Sequence, residues 1–535
     1  MPAGPSPGSH YVTVLLDVLD RAPGDRPVLW WREHRWSARE FAARTWQLAV
    51  LLGDTGVRPG EVLGLLVLPN HPDTLAARYA AHLLGLSVVH LHTANPGSNG
   101  ARMAPAEQAE LLRNHNATIL LHTPELADRA HSAAKRLPAP PRILPLPGPA
   151  TLPADRTTAL RAAPTVPGGL LTFTGGTTGR PRGVRHSFAG HNELVLGDAV
   201  ALTASPQPPR MLVTTPLSHA VAAMADAVLC AGGSLVLHED FEPAKALRAM
   251  ELHRVDRAYL AVPQLHRLVD HPDVPGTDLS ALRQLVYSGS TAAPARVARA
   301  VEVLGAVLVQ CYGSTEAGRI TLLDQLDHLE PELLGSVGRP FPGVDVRVVT
   351  AGAKTAETEL PPGRTGEIWA RSRQCMIEYT GDPEATARTL HDGWVRTGDL
   401  GHIDDYGCLR LVGRCHDVIK VAGERVRPAA VEQVMLAGGD FTDVVVHRAT
   451  DGDGTEAVHA AVVAGPRPVP DALLTAALAR AAERVTRDLT QAHVPTRVVL
   501  WPRLPLTPAG KPDRRRLAEP DETAGARLIT PKPGE

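Results

Sequence analysis

Leu171-Thr172-Phe173-Thr174-Gly175-Gly176-Thr177-Thr178-Gly179-Arg180-Pro181-Arg182-Gly183 is an apolar run that opens into glycines, threonines and arginines. Glycines let backbone N–H groups turn inward against a ligand, the paired threonines add hydroxyl donors, and the arginines add charge. That is the composition of a loop wrapped around phosphate oxygens. No Gly-Lys-Ser/Thr follows at the spacing of a Walker A loop. A glycine-rich hairpin is the plainer alternative, and the dense Thr/Gly/Arg/Pro pattern directly after an apolar run favours the phosphate reading.

Upstream of this loop the chain alternates strand and helix signals. Ser37-Ala38-Arg39-Glu40 has a capping-box pattern, Phe41, Thr45, Leu48 and Leu52 follow at helical spacing, and Gly53 closes the run. Val62 to Leu68 is continuously apolar, as expected of a strand buried on both faces. A helical pattern near 74–84 and an apolar run over 86–91 complete the unit, which predicts βαβ units and a mainly parallel sheet. The proline-rich segment 138–168 reads as a surface connection.

Beyond the loop, apolar runs near 211–214, 234–237 and 306–309 resume the alternation, and near 350–412 the texture changes to short strands with glycine turns. A boundary is expected at Gly413-Arg414-Cys415-His416, followed by separate strand and helix signals over 444–446, 458–463 and 473–489. The expected fold is α/β. It comprises a large N-terminal domain, 1–415, with βαβ-built sheets and a β-rich subdomain, a small mobile α+β C-terminal domain, 416–517, and a flexible tail, 518–535.

Composition narrows the functional classes. The 535 residues balance 55 Lys+Arg against 57 Asp+Glu, which gives no cationic excess to hold a nucleic acid by counterion release. Five cysteines without a C-x-x-C pair argue against a disulfide framework or a structural zinc site and fit the reducing cytoplasm. No window approaches the ~20 apolar residues that span a bilayer, and the N-terminal stretch lacks signal-peptide character, so no membrane partner is expected. Only six of the basic residues are lysines. A lysine inside a motif is therefore the more informative, because the two cations differ in geometry and hydration.

The loop at 171–183 resembles that of the adenylate-forming superfamily: acyl- and aryl-CoA synthetases, peptide-synthetase adenylation domains and firefly-type luciferases. The family pattern is Tyr/Phe-Thr-Ser-Gly-Thr-Thr-Gly-x-Pro-Lys-Gly; Gly175 here replaces the serine and Arg182 the lysine. The resemblance continues in order along essentially the whole chain. It implies that Thr174, Gly175, Gly176, Thr177, Thr178, Gly179 and Arg182 hold the phosphates of ATP.

Two further segments, 287–292 and 310–316, are apolar strands ending in small and polar residues, where ligands of α/β sheets sit. The resemblance implies that Ser288, Gly289, Tyr312 and Gly313 line the nucleotide. Tyr312 is expected to stack on adenine, Thr315 to bind the α-phosphate and Glu316 to ligate Mg²⁺ as a hard oxygen donor. His219, in Pro216-Leu217-Ser218-His219, is implied at the acyl pocket, and Asp399 at the ribose, although an aspartate stabilising its own turn is the bland alternative there. Asp226 reads equally well as a buried packing residue. Small apolar residues at 219–224 and 286–292, Ala220, Ala222, Ala223 and Ala292, point to an aryl or medium-sized apolar acid.

In the C-terminal part, Arg414 is implied near ribose and phosphate, and His416 at the hinge. Lys420, Gly423 and Arg425 are implied on the face presented for thioester formation. Lys511, in Pro505-Leu506-Thr507-Pro508-Ala509-Gly510-Lys511, matches the family's catalytic-lysine loop. The function implied is activation of a small-molecule carboxylic acid by ATP, with Mg²⁺, as an acyl-adenylate. Transfer to coenzyme A, or to the phosphopantetheine of an acyl carrier protein, would follow, in a monomer or homodimer. Transfer to an amine, activation of another oxyanion such as nitrite, and a non-catalytic nucleotide-binding regulator stand as alternatives.

Overall fold

The computed structural model describes residues 9–91, 103–148, 170–174, 182–421, 423–450, 455–465, 469–506, 512–518 and 525–529. Within them, the apolar run at 62–68 forms the strand Val62–Leu66, paired in parallel with Ser87–His90 and Ala117–His122. It sits inside a seven-stranded sheet, and Leu63, Leu65 and Leu66 are buried, as a strand covered on both faces requires. The intervening helix, Pro72–Leu83, starts earlier than its apolar spacing indicates. His71 caps it by accepting from the Asp73 N–H, and Pro72 occupies the first turn, where a missing N–H costs nothing. Ser37 and Glu40 form the expected capping box ahead of the helix Ala38–Gly53.

A nine-stranded sheet stands beside the first. Its parallel centre runs Leu308–Ser314, Gln284–Ser288, Arg257–Ala261, Arg210–Val213, Ser234–Leu237, Pro27–Trp31. One core serves both sheets: Leu63 and Val88 of one and Met211 and Leu235 of the other close on Phe41, Leu75, Val195 and Val221 of the helices. The glycine-punctuated region supplies a five-stranded antiparallel sheet built on Gly366–Arg371 and Trp394–Ile403. The last part has a core of its own, with Ile419, Val431, Val446, Leu474 and Val498 between a four-stranded sheet and the helices Pro428–Ala437 and Asp471–Asp488.

Two expectations change. Within 138–168, Arg142–Pro145 is a strand pairing in parallel with Ala117–His122 rather than a bare connection. It lies at the sheet edge, where Pro145 forfeits no interior ladder bond. In the tail expected to be flexible, Arg527–Ile529 pairs antiparallel with Arg497–Leu500, and Ile529 packs against the C-terminal core. All five cysteines are free thiols, and among the described residues no helix is long and apolar enough to cross a membrane.

Asp226 proves to be a packing residue. Fully buried on the helix Val221–Cys230, it accepts from the Arg78 guanidinium and, at 2.6 Å, from the Tyr79 hydroxyl, both on Pro72–Leu83. His191 Nε2 stands 3.3 Å from its second oxygen without the alignment of a hydrogen bond. Removing one partner of such a pair leaves a buried charge uncompensated. Asp226→Ala should therefore cost about 3–5 kcal/mol, read as a fall in the unfolding midpoint. The double change Asp226→Leu with Arg78→Met should cost much less.

Candidate functional site

The carboxyl ends of parallel strands converge on an open cleft of about 1730 Å³. Ser288 and Gly289 close one strand, Tyr312 to Ser314 close the next, and Thr315 and Glu316 continue into the turn. His219, Asp399 and Arg414 line the same cleft, as do Pro512, Asp513 and Arg514. With Arg182, which also lines it, the cleft brings together ten of the site residues singled out from sequence, contributed by segments up to 232 residues apart, from Arg182 to Arg414.

One carboxylate ties three of them. The Tyr312 hydroxyl donates to Asp399 Oδ2 at 2.8 Å, and Arg414 Nε lies 3.0 Å from Asp399 Oδ1. Asp399 and Arg414 face each other across paired strands, so the backbone register sets the ion pair. Burial, and then the Asp399 charge, hold the Tyr312 phenol protonated well above its ordinary range, while Asp399 raises the affinity of Arg414 for its proton. Asp399 is thus more than an aspartate stabilising its own turn: both oxygens are engaged by distant side chains, although its N–H does donate such a turn bond to Thr397 Oγ1, at 3.1 Å.

A second carboxylate is held in the same manner. The Tyr379 hydroxyl donates to Glu316 Oε1 at 2.7 Å, and the Glu316 carbonyl accepts from the Met376 N–H at 2.7 Å. Arg182, on the strand Arg182–His186 that pairs with Met376–Tyr379, places its guanidinium carbon 5.7 Å from the Tyr379 ring centre and its Nε 3.7 Å from Asp382. No local pattern singles out Tyr379 or Asp382, yet the geometry brings Tyr379 onto Glu316 in the cleft. Its only signal was position, since nothing local to 376–382 indicates a partner 63 residues away.

Close backbone approach shapes the floor. A Cβ on Gly313 would stand 2.2 Å from the Gly318 carbonyl oxygen, so the hairpin between Leu308–Ser314 and Gly318–Leu323 admits no side chain there. Beside it, Ser288 hydrogen-bonds the Tyr259 side chain, and Gly289 turns away with φ +98°. His219 is half-buried at the wall next to His90, whose imidazole burial pushes down to about 3.

Other expected residues stand apart. Lys420, Gly423 and Arg425 are exposed and do not line the cleft, and His416 is exposed beside Asp417, which pairs with Arg514. Thr174 ends the strand Leu170–Thr174. Gly175, Gly176, Thr177, Thr178 and Gly179 lie outside the described residues, as does Lys511. Ala220, Ala222 and Ala223 reach the cleft, whereas Ala292 is buried away from it.

Comparison with known proteins agrees with this geometry. Residues 17–380 match the family model described as AMP-binding enzyme. A medium/long-chain-fatty-acid–CoA ligase of Mycobacterium tuberculosis is 32% identical over 541 residues, covering 95% of this chain and 89% of the relative. A feruloyl-CoA synthase of an Amycolatopsis species is 33% identical over 484 residues, covering 88% and 91%. Among solved structures, the amide bond synthetase McbA from Marinactinospora thermotolerans is 33% identical with a TM-score of 0.79, over 95% of this chain and 99% of that one.

The Gly313–Gly318 contact yields a direct test. Gly313→Ala should force the two strands apart and cost about 1–3 kcal/mol, measured by chemical denaturation.

Proposed function

The chain belongs to the AMP-binding enzyme family, and from that premise we propose that it activates a carboxylic acid with ATP and transfers the acyl group to a thiol. The observation that carries this reading is the convergence of Glu316 and Asp399 on one cleft with Pro512, the chain neighbour of Lys511. A carboxylate is a poor electrophile because its oxygen leaves reluctantly, and bonding that oxygen to AMP makes it a good leaving group. In the first step the acid's oxygen attacks the α-phosphorus of ATP and pyrophosphate departs. Negative charge then gathers at that phosphorus, where fixed donors stabilise most.

On this reading Lys511 and Thr315 supply donors at the α-phosphate, and the loop 174–182 holds the departing pyrophosphate. Asp399, steadied by Tyr312 and Arg414, accepts from the ribose hydroxyls. Mg²⁺ fits Glu316: one of its oxygens is taken by Tyr379, the other is left to a cation, and a single carboxylate beside nucleotide phosphates is a donor set that Mg²⁺ accepts. The ion would neutralise phosphate charge there. Among the described residues there is no cluster of three or more His, Cys, Asp or Glu that would serve as a cage for another metal.

We take 1–415 as the unit that binds ATP and acid, and 416–517 as the unit that turns about His416. Turning withdraws Lys511 and brings Lys420, Gly423 and Arg425 forward for thiol attack on the adenylate. The cleft-facing Pro512, Asp513 and Arg514 and the exposed Lys420, Gly423 and Arg425 favour the first of these two orientations for the structure described. Coenzyme A is the favoured acceptor, as the names of the two curated relatives suggest, and its pool with ATP sets the reaction in the cytoplasm. A carrier-protein thiol suits the same step. One finding favours a second reading in which an amine takes the acyl group, namely the likeness to an amide bond synthetase over 99% of its length.

Exchange of labelled pyrophosphate into ATP, driven by acids of a broad panel, tests the first step; no exchange with any acid refutes it. Lys511→Ala should slow that exchange by about 10²–10³-fold and leave thiol acylation from a preformed adenylate nearly unchanged. Tyr379→Phe should raise the Mg²⁺ concentration for half-maximal exchange by about 10–100-fold, while Km for the acid stays put. Offering coenzyme A, a holo carrier protein and an amine to the preformed adenylate separates the acceptors.

A further inference from the structure

Three residues beyond Glu316, Arg319 is the second residue of the hairpin's return strand, Gly318–Leu323, in register with Gly313 in the cleft. Its guanidinium meets Asp198, on the helix Phe188–Thr203, in a two-pronged ion pair with Nη1 to Oδ2 at 3.0 Å and Nη2 to Oδ1 at 3.2 Å. Both side chains line the cleft and remain 28% and 31% exposed, so the pair is open to an occupant. The Arg319 guanidinium carbon lies 4.8 Å from the Phe341 ring centre, and its Nε is buried without a hydrogen-bond partner. Cys311, Leu322, Ala222 and Ala223 line the same cleft.

The chemistry of this wall is specific. Asp198 and Arg319 cancel in charge, so they offer no net attraction to a second carboxylate or to an ammonium on the substrate. Each nevertheless keeps hydrogen-bonding capacity beyond the pair: every carboxylate oxygen accepts more than one bond, and each Nη carries a second N–H. An alkyl chain laid on the pair removes its water and returns nothing, which is costly for charged groups. A neutral hydroxyl or ring N–H donates to Asp198, and a hydroxyl accepts from Arg319 in return. The small side chains and the aromatic face of Phe341 suit a flat ring better than a flexible chain.

We propose that the acid taken by this cleft is an aryl or heteroaryl carboxylic acid bearing a neutral hydroxyl or ring N–H, selected by the Asp198–Arg319 pair. The proposal rests on the acid-activating reading given above. It names a substrate feature that the small apolar residues alone do not indicate, and it disfavours a plain fatty acid.

The test uses the full-length protein with ATP and Mg²⁺, and matched acids: para-hydroxycinnamic against cinnamic, indoleacetic against naphthaleneacetic, and decanoic acid. Two quantities are read, kcat/KM for pyrophosphate release and the equilibrium Kd of each acid. The polar member of each pair is expected to lead by at least about 10-fold in both, with decanoic acid last. Asp198→Leu with Arg319→Met removes both charges together and should bring the ratio within pairs to about one, by loss on the polar member and gain on the apolar one. Exchanging the two residues, Asp198→Arg with Arg319→Asp, should restore the preference. Pyrophosphate release without preference in the unaltered protein, or with a preference the double variant keeps, overturns the assignment and leaves acid activation standing. Selective binding of the polar acids without pyrophosphate release refutes acid activation and leaves the binding wall standing. Neither binding nor release overturns both.

Discussion

Two carboxylates, each pinned by a tyrosine hydroxyl from a different part of the chain, hold the cleft in shape. Asp399 belongs to the five-stranded sheet and takes its bond from Tyr312 of the nine-stranded sheet. Glu316 follows the nine-stranded sheet's strand and takes its bond from Tyr379 of the seven-stranded sheet. Hydrogen bonds to ionised acceptors are worth about 1.5–3 kcal/mol each, and here each also joins two sheets. Losing the Tyr379 hydroxyl would take away the side-chain donor described at Glu316, whereas losing that of Tyr312 would leave Asp399 held by Arg414 alone. Three sheets meet at these atoms, which is why a cleft forms there and not at another strand end.

The same arrangement explains what could be read from sequence. Strands and helices were legible because their signal is local: apolar runs for Val62–Leu66 and Ser87–His90, the capping box at Ser37 and Glu40, a turn-rich texture for 350–412. Ser288, Tyr312, Thr315 and Glu316 drew notice as small and polar residues following apolar strands, where ligands of α/β sheets sit, whereas Asp399, in mid-strand within Trp394–Ile403, was singled out by the resemblance. Tyr379 was not, because its partner is fixed by antiparallel pairing of Met376–Tyr379 with Arg182–His186, which no local pattern encodes. Asp198 and Arg319 were missed for the same reason: one lies mid-helix and the other is second in a strand, 121 residues later. The edge strand Arg142–Pro145 was hidden by its prolines, whose loop signal is stronger than that of two aliphatic residues.

Arg182 shows how a departure from a family pattern can be absorbed. A lysine ammonium at that position would act as a compact, heavily hydrated point charge. The guanidinium instead lies near the face of Tyr379 and reaches toward Asp382. Its charge stays beside the ring whose hydroxyl holds Glu316, so the cation supports the proposed Mg²⁺ carboxylate indirectly, through the tyrosine.

The proposed turn of the smaller unit would break at least one solvated polar contact. Across the proposed boundary, His266 Nδ1 meets Asp443 Oδ1 at 3.3 Å, with Asp443 31% exposed. Contacts of that exposure contribute about 0–1 kcal/mol, so breaking one on rotation is no obstacle. The ion pair that does resist lies within the moving part: Arg514 grips Asp417 and approaches Glu432 at 3.7 Å, fastening the segment after Lys511 to the residue just past His416. On the proposed reading, a turn at His416 would carry residues 512–514 with it, because Arg514 is paired to Asp417 and lies near Glu432 on the same side of the proposed boundary.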